Sequence, residues 1–281
     1  MSEFPRTEIE GLSVPRLLIG TNWFMGFSHT SRAKDKFINE TMTPSRIADV
    51  LEVFLDAGID AIVGQAQRPK ALEAIAEAQD RTGKKLILIS TPTINVEDGP
   101  EAEAENARIF DSEVAADVAV CMPHTSCTDV LVDQRARRLR NMDRICEMIR
   151  ERGMIPGLST HLPESVVYAD ETGLDVGTYI QIYNAAGFLM PLEVDWVHRI
   201  IHDAAKPVIT IKPLAAGRLH PFVGLAFSWA TIREQDMVAV GTMTPDEARE
   251  VIDMSLSLLE GRGSAVPLQR TRSKSTVETS E

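Results

Sequence analysis

The sequence predicts an α/β fold of the (β/α)8 type, a TIM barrel. Two observations carry this expectation. Short runs apolar on both faces, the pattern of buried parallel strands, recur eight times and alternate with helical patterns. The repeats fill about 260 residues, the usual extent of such a barrel. The competing open, doubly wound sheet is disfavoured, because no Gly-x-Gly-x-x-Gly follows any of the runs.

The strand-like runs are residues 16–20, 61–64, 85–90, 118–122, 155–159, 179–183, 208–212 and 237–241. Thr43-Pro44-Ser45 opens a helix with an apolar face at Ile47, Val50, Leu51 and Phe54, and Gly58 closes it. Helices are also expected over 69–82, 134–152, 163–171 and 192–204, with stops at Gly83, Gly153 and Gly173. Thr244 is a good N-cap and Pro245 suits a first turn, so a last helix runs from there to Gly261. Residues 26–43 read as a polar first loop long enough to act as a lid. Residues 1–262 form one barrel domain, and 263–281, rich in Ser, Thr and Arg, form a flexible tail.

The chain has 281 residues, 44% of them apolar, enough for a sizeable core. Its formal charge of −12 argues against nucleic acid and anionic membranes as partners. Three cysteines at no framework spacing point to a reducing compartment. With no leader-like start and no apolar run of membrane-spanning length, a cytoplasmic protein is expected. A basic segment at Arg135–Arg140, read as part of a helix, leaves self-association by opposite charge open.

The most informative stretches are Lys206-Pro-Val-Ile-Thr-Ile-Lys-Pro-Leu-Ala-Ala-Gly-Arg-Leu219 and Met237-Val-Ala-Val-Gly-Thr-Met-Thr-Pro-Asp-Glu247. Each is an apolar strand followed by a turn, the second leading into a capped helix. That arrangement holds phosphate at the carboxyl end of barrel strands. Other turns follow in matching order: Leu18-Ile-Gly-Thr-Asn-Trp-Phe-Met-Gly26, Gly157-Leu-Ser-Thr-His161, Tyr179-Ile-Gln-Ile-Tyr-Asn184 and Ala226-Phe-Ser-Trp-Ala230. Over roughly residues 14–260 the pattern resembles the aldo-keto reductases, more specifically in its C-terminal half.

The resemblance implies a nicotinamide dinucleotide, NAD(H) or NADP(H), and its loss altogether is left open. Carboxamide contacts would fall on Ser159 and Gln181. The pyrophosphate turn would fall on Pro213, Leu214, Gly217 and Leu219, with Gly241, Thr242 and Glu250 beside the adenosine half. The family position that often carries an Arg for the 2′-phosphate falls on Glu247. A carboxylate there repels a second phosphate and favours NAD(H), unless Arg249 swings in.

The family's carbonyl-reducing side chains are missing. Matching without gaps puts Val63, Arg68, Pro92 and Met122 where the resemblance implies Asp, Tyr, Lys and His. His124, two residues beyond Met122, keeps the same strand face and can take the His place. The strand ends otherwise carry Asn22, Trp23, Gln65, Arg68, Asn184, His161 and Lys212. Of these, His124, His161 and Lys212 are the candidate acid/base groups, and Asn22, Trp23, Gln65, Arg68 and Asn184 the candidate substrate contacts.

Three readings stay open. One is an atypical oxidoreductase or dinucleotide-binding barrel acting on a small carbonyl or sugar-like compound. The second is a non-redox lyase or isomerase using Lys212, His124 and His161. The third is an inactive barrel that binds a small molecule. No metal site is expected: Cys121-x-x-His124-x-x-Cys127 lacks a fourth ligand, and His198 and His202 sit on an outer helix.

Overall fold

The computed structural model describes residues 4–267. Eight parallel strands close into a barrel: β1 Leu17–Gly20, β2 Ala61–Gly64, β3 Ile87–Ser90, β4 Val118–Cys121, β5 Ile155–Ser159, β6 Thr178–Ile182, β7 Val208–Ile211 and β8 Met237–Val240. The TIM barrel expected from the apolar runs is therefore the fold, with a strand inside or overlapping each run. The helices are α1 Arg32–Thr41, α2 Pro44–Asp56, α3 Pro69–Thr82, α4 Pro100–Ala115, α5 Thr125–Thr128, α6 Met142–Arg150, α7 Glu164–Thr172, α8 Val194–Asp203, α9 Pro221–Thr231 and α10 Pro245–Glu260.

Alternation along each strand separates two apolar compartments. Leu18, Val63, Ile89, Val120, Ile180, Ile209 and Met237 fill the barrel interior. Leu17, Ile19, Leu158, Tyr179, Val208 and Val238 face the helices. Met122 is fully buried in the interior, and a Cβ on Gly157 would lie 2.7 Å from its Cε. Gly157 thus leaves room for Met122, which fills the position where the resemblance implies a His.

Four features depart from the sequence-based expectation. A hairpin, Arg6–Ile9 paired with Leu12–Pro15, precedes the barrel. Its Ile9 and Val14 join the interior cluster and close the bottom, where Arg6 Nη1 pairs with Asp60 at 2.9 Å. The segment 26–43 is not only loop, because α1 occupies most of it. Ser31 Oγ caps that helix by accepting from Lys34 N–H at 3.2 Å.

The third departure is the helix expected over 134–152, which begins only at Met142. The basic segment before it is a small hairpin, Val132–Asp133 against Arg138–Leu139. Like charges three apart (Arg135 with Arg138, Arg137 with Arg140) disfavour a helix. Arg137 instead pairs with Glu171 and stacks over Tyr168 at 4.8 Å. The basic helix offered above as a self-association surface is therefore absent. Fourth, residues 263–267 are described as irregular chain, with Ser264 Oγ and Ala265 N–H donating to Asp253; the rest of the predicted tail lies outside the described residues.

The expected caps of α2 and α10 are present: Thr43 Oγ1 accepts from Arg46 N–H and Thr244 Oγ1 from Glu247 N–H. Near the seam where β8 meets β1, the Asp236 carboxylate is fully buried. It accepts from Arg233 and from Val208 N–H, the latter at 2.9 Å. Removing the Asp236 carboxylate leaves the buried Val208 N–H without its acceptor and the part-buried Arg233 without its counter-ion. Asp236→Ala is expected to cost about 3–5 kcal/mol of folding stability, measured by urea unfolding.

Candidate active site at the carboxyl ends of the strands

The chain turns sharply after β7. Lys212, Ala215 and Ala216 have positive φ of 62°, 48° and 55°. That region is costly for residues with a Cβ and is held only by surrounding structure. Here the turn closes on itself: Ala215, Gly217 and Leu219 N–H groups donate to Lys212, Leu214 and Leu214 carbonyls. Gly224 supports it from α9, since a Cβ there would lie 2.6 Å from Pro213 O. The strained turn breaks the strand alternation at Lys212 and leaves its amine half-buried with no hydrogen-bonding or ion-pair partner among the described residues. Desolvation lowers its pKa from 10.5 to about 8.

Three histidines share the electrostatic surroundings of Lys212. His161, after β5, is pushed down to about 4 by burial first, then by Lys212, His124 and His29. His124, after β4, is lowered by burial, then by Lys212 and Arg68, with Asp129 opposing. His29, in the first loop, is lowered by burial, then by Lys212 and Arg218, with Asp35 opposing. His29 did not figure among the candidates, and no local signal marks it. It reaches the mouth because Asp35 folds the loop back, accepting from Ser28 N–H at 2.8 Å and Ser28 Oγ at 2.6 Å.

The tautomer of His124 follows from its neighbours. Ser126 N–H donates to its Nδ1 at 3.2 Å, and Ser126 Oγ lies 2.8 Å from the same nitrogen. Nδ1 is therefore an acceptor, and the proton of the neutral ring sits on Nε2. His124 is a hydrogen-bond donor at this site. Asp129 accepts from Thr125 Oγ1 (2.7 Å), Thr160 Oγ1 (2.6 Å) and His161 N–H (3.2 Å).

The other candidates divide. Asn22 joins the cluster, its Nδ2 3.4 Å from His29 Nε2. Arg68 stacks at 5.6 Å over Phe27, and Arg218 at 4.1 Å over Phe188. Gln65 N–H donates to Thr21 Oγ1, while its Oε1 is buried without a partner. Asn184 is fully buried and shapes the loop after β6, exchanging hydrogen bonds with Phe188 N–H and O. Ser159 pairs with Ile180 and shares its interior face. Gln181 lies on the opposite face with Tyr179 and Tyr183, and both its amide atoms are buried without a partner. Thr242 Oγ1 is orphaned in the same way. Trp23 lies against Gly241, where a Cβ would approach its Cδ1 to 2.6 Å. Glu250 is exposed on α10.

No tyrosine serves this mouth. Tyr179 donates to Asp170, Tyr168 lies under Arg137, and Tyr183 packs on Phe227. Among the described residues no group of His, Cys, Asp and Glu is arranged to hold a metal ion. No helix there is long and apolar enough to cross a membrane. A cavity of about 430 Å³ opens between α1, α2 and the start of α10, lined in part by Lys34, Arg46 and Glu247, and Lys212 and the histidines are not among its walls.

The closed barrel of eight parallel strands matches solved aldo-keto reductase structures over most of the chain. The fold is that of the aldo-keto reductases. A Pseudomonas aeruginosa protein assigned to that class aligns over 92% of this chain and 98% of its own, with a TM-score of 0.66 and 16% identity. An aldo/keto reductase from Brucella melitensis aligns over 90% and 93%, with a TM-score of 0.60 and 15% identity. An aldo/keto reductase from Klebsiella pneumoniae, solved with NADP and acetate, aligns over 94% and 92%, with a TM-score of 0.56 and 15% identity. No family model and no curated protein matches the sequence. At these identities the aldo-keto reductase structures establish the architecture, and the chemistry rests on the side chains above.

Two titrations check the electrostatics. Labelling of Lys212 by an amine-directed reagent, followed by peptide mass spectrometry, is expected to reach its half-point near pH 8, because only the neutral amine reacts. The fold disfavours charged His161, so the unfolded chain binds more protons below about pH 6.5 and acid destabilises the protein. His161→Gln is expected to flatten stability between that pH and about 4, read by denaturant unfolding across the range.

Proposed function

We propose that this barrel is an oxidoreductase that reduces a small carbonyl compound with a nicotinamide dinucleotide, using His124 and Lys212 in place of the usual side chains. The observation that carries the reading is the desolvated, unpaired Lys212 amine at the end of β7, whose charge acts on His124. The fold, shared with proteins solved with NADP, supports it.

One unexplained feature fits the dinucleotide cradle: Thr242 has a buried hydroxyl unpartnered. Gln181, also orphaned, faces the helix side of β6 and cannot meet the same carboxamide as Ser159 on the interior face. Ser159 and the turn Pro213, Leu214, Gly217 and Leu219 would hold the group, with Gly241, Thr242 and Glu250 toward its adenosine end. When bound, the reduced nicotinamide supplies hydride to the carbonyl carbon. His124 Nε2–H donates to the carbonyl oxygen and holds it in place. Lys212, as ammonium, passes its proton to that oxygen as the carbonyl electrons move onto it, and recovers a proton from water. An amine whose pKa lies near 8 is charged at neutral pH and gives up its proton readily.

Glu247 bears on cofactor choice. Its Oε2 accepts from Met243 N–H at 2.6 Å, so a carboxylate already occupies the start of α10. Arg249 is engaged with Asp246 at 2.8 Å. NADH is therefore expected to bind more tightly than NADPH, and Glu247→Arg to reverse that order.

Cofactor fluorescence titration tests the reading first. Saturable binding of either reduced dinucleotide at micromolar concentration is expected, and its absence at millimolar concentration would sink it. With a turned-over aldehyde in hand, Lys212→Met is expected to lower kcat by ~10²-fold or more. A borohydride-trapped adduct of an aldehyde on Lys212, with no dinucleotide binding, would place the chemistry in the imine class of lyases instead.

A further inference from the structure

The mouth of the barrel is cationic in a chain whose net charge is −12. Lys212, Arg68 and Arg218 all act on its histidines. The two carboxylates that also act there are occupied. Asp129 takes hydrogen bonds from Thr125, Thr160 and His161, and Asp35 takes two from Ser28. No ion pair to Arg68, Arg218 or Lys212 forms among the described residues.

Both guanidiniums rest on aromatic faces, Arg68 on Phe27 and Arg218 on Phe188. Arg218 Nη1 donates to Ala215 O at 3.2 Å, whereas the Arg68 guanidinium makes no side-chain hydrogen bond or ion pair among the described residues, so its fork is available to a planar two-oxygen acceptor. The two arginines stand at different places in the fold. Arg218 belongs to the turn after β7, the turn proposed above to hold the dinucleotide. Arg68 is the N-cap residue of α3, after β2, and its charge acts on His124. His124 thus feels Lys212 and Arg68 together.

We infer that the substrate is a carboxylate-bearing carbonyl compound, its carbonyl at Lys212 and His124 and its carboxylate at the rim against Arg68. This rests on the carbonyl-reduction reading and names its substrate class. Phe27, 38% exposed beneath Arg68, offers an apolar wall for the part between the two ends. An aromatic or short-chain oxo acid satisfies all three features. A neutral aldehyde of the same shape leaves Arg68 without its acceptor.

The test uses the full chain and one matched pair, 4-carboxybenzaldehyde and its methyl ester. The acid is expected to show kcat/KM ~10–100-fold above the ester, the range of a charge-assisted bond. Arg68→Ala is expected to bring the ratio close to one, and Arg68→Lys, which keeps the charge and loses the fork, to restore part of it. Equal turnover of acid and ester by the unaltered protein overturns the inference while leaving carbonyl reduction intact. So does an Arg68→Ala variant that keeps the ratio but loses dinucleotide affinity, which would assign that cation to the cofactor. A second arm needs no turnover: terephthalate, at millimolar concentration without cofactor, is expected to raise the melting temperature of the protein but not of Arg68→Ala. If terephthalate stabilises in this way while no dinucleotide binds, carbonyl reduction fails and the carboxylate site stands. If it does not bind and the acid is not preferred, the inference fails.

Discussion

The structure depends on the seam where the last strand meets the first. A sheet of eight strands has no free edge only if β8 pairs with β1, and it does so through Val238, Ala239 and Val240 against Leu17, Leu18 and Ile19. Arg16 reinforces the join from the bottom. Its side chain donates to the carbonyls of Asp236 and Arg233 and stacks over Trp229 at 5.3 Å. Asp236 ties the same corner to β7 through Val208 N–H. Closure brings the ends of β1, β2, β4, β5 and β7 around one mouth. Without it, His29 and His161 would stand far apart on a flat sheet.

Closure also sets the electrostatics of the mouth. Amines and imidazoles gathered over an apolar interior lose water, and each loses some of its tendency to carry charge. Lys212 keeps its proton at neutral pH but holds it weakly, while His161 is neutral down to about 4. The arrangement divides labour: neutral His124 offers a hydrogen-bond donor, and Lys212 with the two rim arginines carries the positive charge. The strained turn after β7 makes this possible, because ordinary strand geometry would send the Lys212 side chain toward the helices.

Much of the scaffold was legible in the chain. Runs apolar on both faces identify parallel strands, and Thr43-Pro44 and Thr244-Pro245 identify helix starts, because these signals act within a few residues. The basic stretch Arg135–Arg140 misled, since its spacing suits a helix while its repulsion and its partners Glu171 and Tyr168 favour a hairpin. The hairpin before β1 was not anticipated: its Ile9 and Val14 have nothing local to bury against, and their partners are interior side chains of the barrel. Of the site, His124, His161, Arg68 and Lys212 were legible as strand-end residues. His29 was not, because only the folding of its loop around Asp35 brings it to the mouth.

The sequence by itself determined the order of strands and helices, the apolar interior of the barrel, and the absence of a tyrosine from the segment after β2. These follow from residue type and short-range spacing. Tertiary structure alone decided that three histidines and Lys212 share one field, that Ser126 fixes the tautomer of His124, that Asn184 shapes a loop, and that Gln181 is buried with its amide unpaired. Each depends on distances across the barrel or on the course of a loop, and these exist only once the chain has closed on itself.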